Sequence, residues 1–531
     1  MVRKALRPNP GRVQVSKPIT LPAPIRGWMT DENLADMPPE GAVVLTNWFP
    51  DADTVRLRRG SALWADGMGG SAVESLMPYQ AGTTIEMFAA AGGTIWDVTS
   101  SGAAAATSET GNASNRWQHI QFATSGGHYL YCVNGQDAPV HYDGSTWANP
   151  SLTGPSSTAS LVQVWSNKSR LWFAEEGTAT AWYLAPDSIA GTLSDLELGG
   201  IFTLGGYLMA GGSWTIDAGE GMDDYCVFVS SEGEVAVYAG TDPSDPNAWA
   251  LRGVYRIGKP IGRRCLLKVG GDLAILCEDG VLPLSRALVL DRAAARKGAL
   301  TANIQKAMND AIRTYGAQFG WQILAYPRGT MAIVNVPISS LSEAVQFVMN
   351  TLTGAWARFE GQNAVCWALL DGNLFYGTPT GEVFRADVGS ADGEEPISAT
   401  SIGAFQIPGG RVATKSAKLM RPIIQSDTEI APAIGVSVDY RVSPPSSIPA
   451  VAPVSGGVWD VNEWADDVAD DPDDMLWAGD SVVVIDWQTV VGVGYAFSAG
   501  VAVSLEGVDP DADVDVRLVA FNLILEEGAP V

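Results

Sequence analysis

The sequence predicts a mainly β protein with a β-propeller body, and three observations predict it. Apolar runs recur as hairpins closed by glycine-containing turns. The composition is rich in Gly (58) and Trp (18) and low in charge (17%) for a chain of 531 residues. One segment alone stands out with helical spacing. Trp favours strand surfaces, and abundant Gly favours turns, so a helical bundle or coiled coil is excluded. With 46% apolar residues the chain can bury a large core, and extensive disorder is not expected.

The hairpins follow one another along the chain. Residues 88–97 read strand, Gly-Gly turn, strand. Residues 128–147, 171–183, 226–238 and 273–284 repeat that scheme with Asn-Gly, Glu-Gly or Asp-Gly turns. Residues 321–336, 345–359 and 368–384 supply three more. A pair of hairpins recurs every 30 to 50 residues, roughly, the period of propeller blades. Radial repetition of this kind leaves only short, protected strand edges.

The helix is expected over 301–315. Ile304, Met308, Ala311 and Ile312 fall on one stripe, Thr301 is placed to cap the start and Gly316 to end it. Beyond residue 396 the pattern changes to strands at 402–440, a Pro/Ser-rich loop at 444–453, an acidic stretch, and strands at 482–487, 495–505 and 514–525. These suggest a sandwich-like domain. The first 26 residues are basic and proline-rich, with no acid and no apolar core of a signal peptide. Proline lacks the ladder donor, so this arm is expected to lie outside the propeller and to pair irregularly, as a strap on a neighbour.

The formal charge is −26, and residues 451–531 carry 17 acidic residues against one Arg. Such a chain is a poor candidate for wrapping nucleic acid, whose phosphates need Lys and Arg. Five scattered cysteines show no metal spacing and read as buried free thiols. Two charge-free runs, 198–216 and 489–505, are broken by glycines and read as short buried strands with turns rather than membrane spans.

No catalytic constellation is present: no GxSxG elbow, HExxH, P-loop or GxGxxG. The three histidines, His119, His128 and His141, lie on strands and are expected to be structural rather than metal ligands. The Asp509–Asp515 stretch lacks the glycine and closing glutamate of a calcium loop. The turn beginning at Asp143 echoes an Asp-box but lacks its spacer, and reads as structural. No cofactor and no enzymatic activity are expected.

The order of motifs resembles the tail hub, or nozzle, proteins of short-tailed bacteriophages, the phage stabilisation protein group. The likeness is carried by residues 36–50 with 55–60, by 223–238, by 257–262, by the 272–284 hairpin and the helix near Ile304, by 348–356, and by Trp459, 492–494 and 521–528. The resemblance implies a β-sandwich-like platform built from N- and C-terminal parts, with residues 1–75 as arm and lead strands, 76–395 as propeller and 396–531 as an acidic closing domain. It implies a six-subunit ring in the virion tail, made in the host bacterial cytoplasm and placed below the portal and adaptor. Its partners would be further copies of itself, the head–tail adaptor, and tail fibre, spike or needle proteins. Genome DNA would pass through the ring without specific binding, and the host envelope would be met only at ejection. A tail adhesin that binds a receptor or glycan, and a propeller enzyme acting on glycans, are the alternative classes.

From these expectations follow the candidate positions. Arg3, Lys4, Arg7 and Arg12 of the basic arm, and the terminal-segment tryptophans Trp28, Trp48, Trp459, Trp464 and Trp477, are candidate subunit or adaptor contacts, because large aromatics anchor interfaces. Asp466, Asp467, Asp470, Asp471, Asp473 and Asp474 are candidates for lining or rimming a channel that must not hold DNA.

Overall fold

The computed structural model describes residues 17–30, 33–217, 222–287, 292–339, 341–410, 413–445 and 482–530. Their backbone is mainly β. Seven antiparallel meanders succeed one another along the chain, the sixth and seventh of them parts of larger sheets. Their innermost strands are Ser75–Ala81, Gln118–Thr124, Leu161–Asn167, Leu208–Asp217, Leu266–Val269, Gln322–Tyr326 and Cys366–Leu370. They begin 43 to 58 residues apart. Each packs beside the next blade, Leu208–Asp217 against the strand Asp272–Cys277 of blade five, and the seventh beside the first, which closes a seven-bladed propeller.

Every hairpin read from the sequence lies within a blade. Gly92 and Gly93 both take positive φ, 61° and 76°, in the turn of the first. That mirror-image turn matches the strand twist and is open to glycine without strain.

The ring is closed by an exchange of chain ends. Ser61–Asp66, well upstream of the first blade, adds itself as the fourth strand of the seventh, antiparallel to Val383–Ala386 with Val383 opposite Ala65. The propeller therefore starts at residue 61 rather than 76. The expected boundary missed this because a closing strand is separated from its sheet by the whole circuit of blades.

The platform combines both ends of the chain, as the resemblance implies. One sheet orders Trp48–Pro50, Val55–Leu57, Val516–Pro530 and Ala413–Ser426, with Val482–Val484 and Gln488–Gly494 along its outer edge. The other is not separate from the propeller. The last strand of blade six, Trp356–Phe359, pairs in parallel with Gly27–Trp28 and Gly41–Thr46, and the sheet continues through Ser398–Gly403, Phe497–Ser504 and Ala433–Val438. Body and platform thus share a nine-stranded sheet and one core, in which Trp48, Phe49, Phe497 and Phe521 are buried.

Three local expectations are corrected. Lys17–Pro22 of the basic arm does pair regularly, antiparallel to the closing strand, with Lys17 opposite Leu525 and Pro22 opposite Ala520. Among the described residues it bonds to that strand alone, so Pro18 and Pro22 are accommodated at a sheet edge, where a missing donor costs least. The helix spans Gln305–Tyr315 after a 3-10 turn at Ala302–Ile304. Thr301 does not cap it: its hydroxyl accepts from the Val281 N–H instead. The apolar stripe is as expected, with Ile304, Met308 and Ala311 buried, and the Gly316 N–H closes the last turn on the Ile312 carbonyl. Finally, Gly211 and Gly212 are not a turn. They sit inside the strand Leu208–Asp217, where the Trp165 ring and Leu266 press against the backbone. Glycine is required there because a Cβ at Gly211 would run into the indole.

Among the described residues no helix is long and apolar enough to cross a membrane.

Candidate functional site

Two features stand out: a basic funnel at one mouth of the propeller and an apolar edge on the platform.

The funnel lies where the inner strands begin. Its cavity of about 570 Å³ is lined from blades two to six and from the segment after the helix. Arg264 precedes the inner strand of blade five, yet its guanidinium reaches the opposite side of the ring. One terminal nitrogen donates to the Glu74 carbonyl (2.9 Å), the Ser75 hydroxyl (2.7 Å) and the Trp117 carbonyl (3.2 Å), joining blade five to blades one and two across the axis. Arg263 donates to the Met209 carbonyl at 2.9 Å. Phe319, from the segment between helix and blade six, is stacked by Arg116 at 4.3 Å and by Arg264 at 5.5 Å. These are cation–π distances. Arg116 is also paired with Glu74 at 2.9 Å. Burial pulls the Arg263 and Arg264 guanidinium groups below the usual arginine range. The same crowding acts on His119, on the inner strand of blade two. Burial first, and the Arg264 charge second, pull its pKa down to about 4, so it is neutral at pH 7.

The platform edge is the strand Gln488–Gly494, which among the described residues bonds to Ala413–Ser426 alone. Val490 turns inward, while Val491 (87% exposed) and Val493 (66%) face out. Val483, Ile485, Trp487 and Tyr495 are exposed beside them in sequence, so among the described residues six of the twelve large exposed apolar side chains fall within 13 positions. Arg421 stacks on Trp487 at 4.7 Å. Such a concentration marks an interaction surface more often than scattered surface apolars do.

The expected site residues fare unequally. Trp28 and Trp48 are buried in the chain's own core, Trp28 edge-on to Phe347 at 5.2 Å, which takes both away from a subunit boundary. They are where platform and blade six meet. Arg3, Lys4, Arg7, Arg12, Trp459, Trp464, Trp477 and the acids Asp466, Asp467, Asp470, Asp471, Asp473 and Asp474 lie outside the described residues.

The three histidines are not brought together: His119 stands opposite Cys132, His128 opposite Ala123 and His141 opposite Tyr131. No group of three or more metal-ligating side chains clusters among the described residues. Asp143 is a turn former. It accepts from the Ser145 and Thr146 backbone N–H groups at 2.9 and 2.8 Å, and the Thr146 bond leads in holding its carboxyl at about 2. Two of the four acids in 509–515 are engaged with arginines, Asp513 with Arg59 and Asp515 with Arg517, and Asp509 accepts from the Asp511 N–H. All five cysteines are free and buried, and burial pushes the Cys226, Cys265 and Cys277 thiols up to about 12.

Sequence reading missed both stronger features. The signal for the funnel was the Arg263–Arg264 pair in an acidic chain, but nothing local says that it faces a ring axis. The signal for the edge was alternation within the charge-free run 489–505. In fact Gln488–Gly494 is half exposed and Phe497–Ser504 buried throughout.

No protein-family model matches the chain, and no curated protein matches it. Among solved structures it is similar to BBS1N in a crystal structure of BBS1N in complex with ARL6DN, with a TM-score of 0.38 and 10% identity over 63% of this chain and 99% of that one. It is also similar to Raptor of Chaetomium thermophilum, with a TM-score of 0.37 and 9% identity over 61% of this chain and 29% of that one. The propeller assignment rests on this chain's own strand pairing.

Proposed function

We propose that this protein is a structural ring subunit of a short-tailed phage tail, a nozzle or hub through which the genome leaves. The observation that carries the ring is the apolar platform edge at 483–495, an open strand with large exposed side chains. A copy of the same chain seated there would bury them, and a heterologous contact repeats into a closed ring where its rotation closes. The motif order along the chain supports the tail assignment and the six copies. The architecture is compatible with it: the platform is continuous with blade six, so a contact at the platform fixes the whole body.

The propeller axis is not the conduit in this reading. Arg264 crosses it and Phe319 sits beside the crossing, so the passage lies between subunits, at the centre of the ring. The DNA-repelling acids proposed for that passage, Asp466 to Asp474, and the strap proposed for Arg3 to Arg12 belong to the assembled particle. The neighbouring copies, the adaptor and the tail fibre, spike or needle proteins are the proposed partners. Assembly follows synthesis in the host cytoplasm, and no catalytic role is assigned.

The test is assembly with Val491→Asp and Val493→Asp. The double variant should keep the circular dichroism and melting temperature of the wild type, since both side chains are exposed. It should be missing from purified particles, which lose infectivity. Incorporation at the wild-type level, or absence of the wild-type chain from purified particles, contradicts the proposal.

A further inference from the structure

The basic funnel has no role in the ring just proposed. Among the described residues, every hydrogen bond of Arg263 and Arg264 goes to a neutral oxygen: the Leu208 and Met209 carbonyls for one, and the Glu74 and Trp117 carbonyls and Ser75 hydroxyl for the other. Two half-buried guanidiniums therefore share a recess without a hydrogen-bonded carboxylate, in a chain of net charge −26, although the Glu176 charge acts on Arg263 and the Glu74 charge on Arg264. Arg116 adds a third charge, already shared with Glu74, and Glu176 stands exposed on the rim. Gln118 and Gln318 line the same space and bring uncharged amide groups, whereas the Asn134 amide is already given to the Ser114 carbonyl and Asp137.

We propose that the funnel is a binding site for an acidic peptide segment of a partner protein, which inserts Asp or Glu side chains toward Arg263 and Arg264. A guanidinium fork matches a carboxylate bidentately, and such charge-assisted bonds are about twice as strong as neutral ones. The shape favours a peptide over a free anion. A second cavity of about 390 Å³ shares Tyr207, Met209, Gly316 and Ala317 with the funnel, so the recess extends into a trough. That second part carries Lys259 and Arg313 against Glu232 and Glu278, a balanced lining suited to peptide backbone and mixed side chains. Nucleic acid is disfavoured because the chain's overall field repels a polyanion at long range, whereas a short acidic loop carries few charges. Phe319 shields the arginines from water on one side, which strengthens the pairing.

The experiment uses the full chain and a fluorescein-labelled hexaglutamate peptide, read by fluorescence anisotropy at low salt. The wild type should bind it saturably, and binding should weaken as salt rises. Arg263→Gln should weaken it about tenfold or more, a loss of one charge-assisted contact. Its circular dichroism and melting temperature should be unchanged. Arg328→Gln, beyond the opposite end of the blade six inner strand, should bind like the wild type. The proposal is overturned if hexaglutamate shows no saturable binding up to about 1 mM, or if Arg263→Gln binds it equally well. Tighter binding of an oligothymidylate or of inorganic phosphate than of the peptide also overturns it, in favour of a phosphate site.

Discussion

The Arg58 guanidinium lies at the seam between platform, blade six and blade seven, 2% exposed. It donates to both Asp392 carboxylate oxygens, to the Asn47 side-chain oxygen at 2.8 Å and to the Glu360 carbonyl at 2.5 Å. Asp392 in turn accepts from the Ser61 hydroxyl at 3.0 Å, at the start of the closing strand. Removing one partner leaves a buried charge uncompensated, which costs about 3–5 kcal/mol, whereas replacing both by apolar groups can be neutral. Arg58→Ala should lower stability by that amount in urea melts, and Arg58→Met with Asp392→Leu should recover much of it. His119 gives a pH signature. Its pKa falls from 6.5 to about 4 on folding, so the unfolded chain binds the extra proton between those values. Stability is therefore lost as pH falls from 6.5 toward 4, by at most about 3 kcal/mol. His119→Asn should flatten the urea midpoint in that window relative to the wild type. An unchanged difference between the two proteins from pH 7 to 4.5 would show that His119 protonates freely in the fold. None of this was readable from the sequence, since Arg58 meets Asp392 across 334 positions and Arg264 meets Ser75 across 189.

At the scale of elements, the hairpins were legible because each is local: two apolar runs and a glycine turn within 10 to 20 residues, roughly, specify a pair of strands with no help from elsewhere. The helix stripe was legible for the same reason. What failed was any pairing closed over distance. The strand Ser61–Asp66 belongs to a blade more than 300 residues on, and Lys17–Pro22 to a strand near the other end of the chain. The Gly211–Gly212 pair shows a subtler limit. As sequence it resembles the turn pairs Gly199–Gly200 and Gly205–Gly206, but its glycines are spent on contact between blades three, four and five. Trp165, which covers Gly211, stacks at 14° on Trp172 and meets Phe228 edge-on, so it has little freedom to retreat. Gly211→Ala should cost about 1–3 kcal/mol by overpacking. Thermal melting followed by tryptophan fluorescence checks it, and a variant as stable as the wild type would mean that the indole does move.

At the scale of the whole molecule, the two ends of the chain hold the architecture together. They close the propeller, build the platform and bury Trp28 and Trp48 where the two meet, so the fold is one connected body. Among the described residues, half of the large exposed apolar side chains lie on the platform edge, which is why the ring contact is assigned there and not to the blades. The measurement that tests this most directly is a reconstruction of the assembled tail particle, made without imposed symmetry. Six copies of this chain are expected in one ring, with Val491 and Val493 at the boundary between neighbours and the propeller axes closed. A three-fold or five-fold ring, or six copies whose 483–495 edge faces solvent, would contradict it.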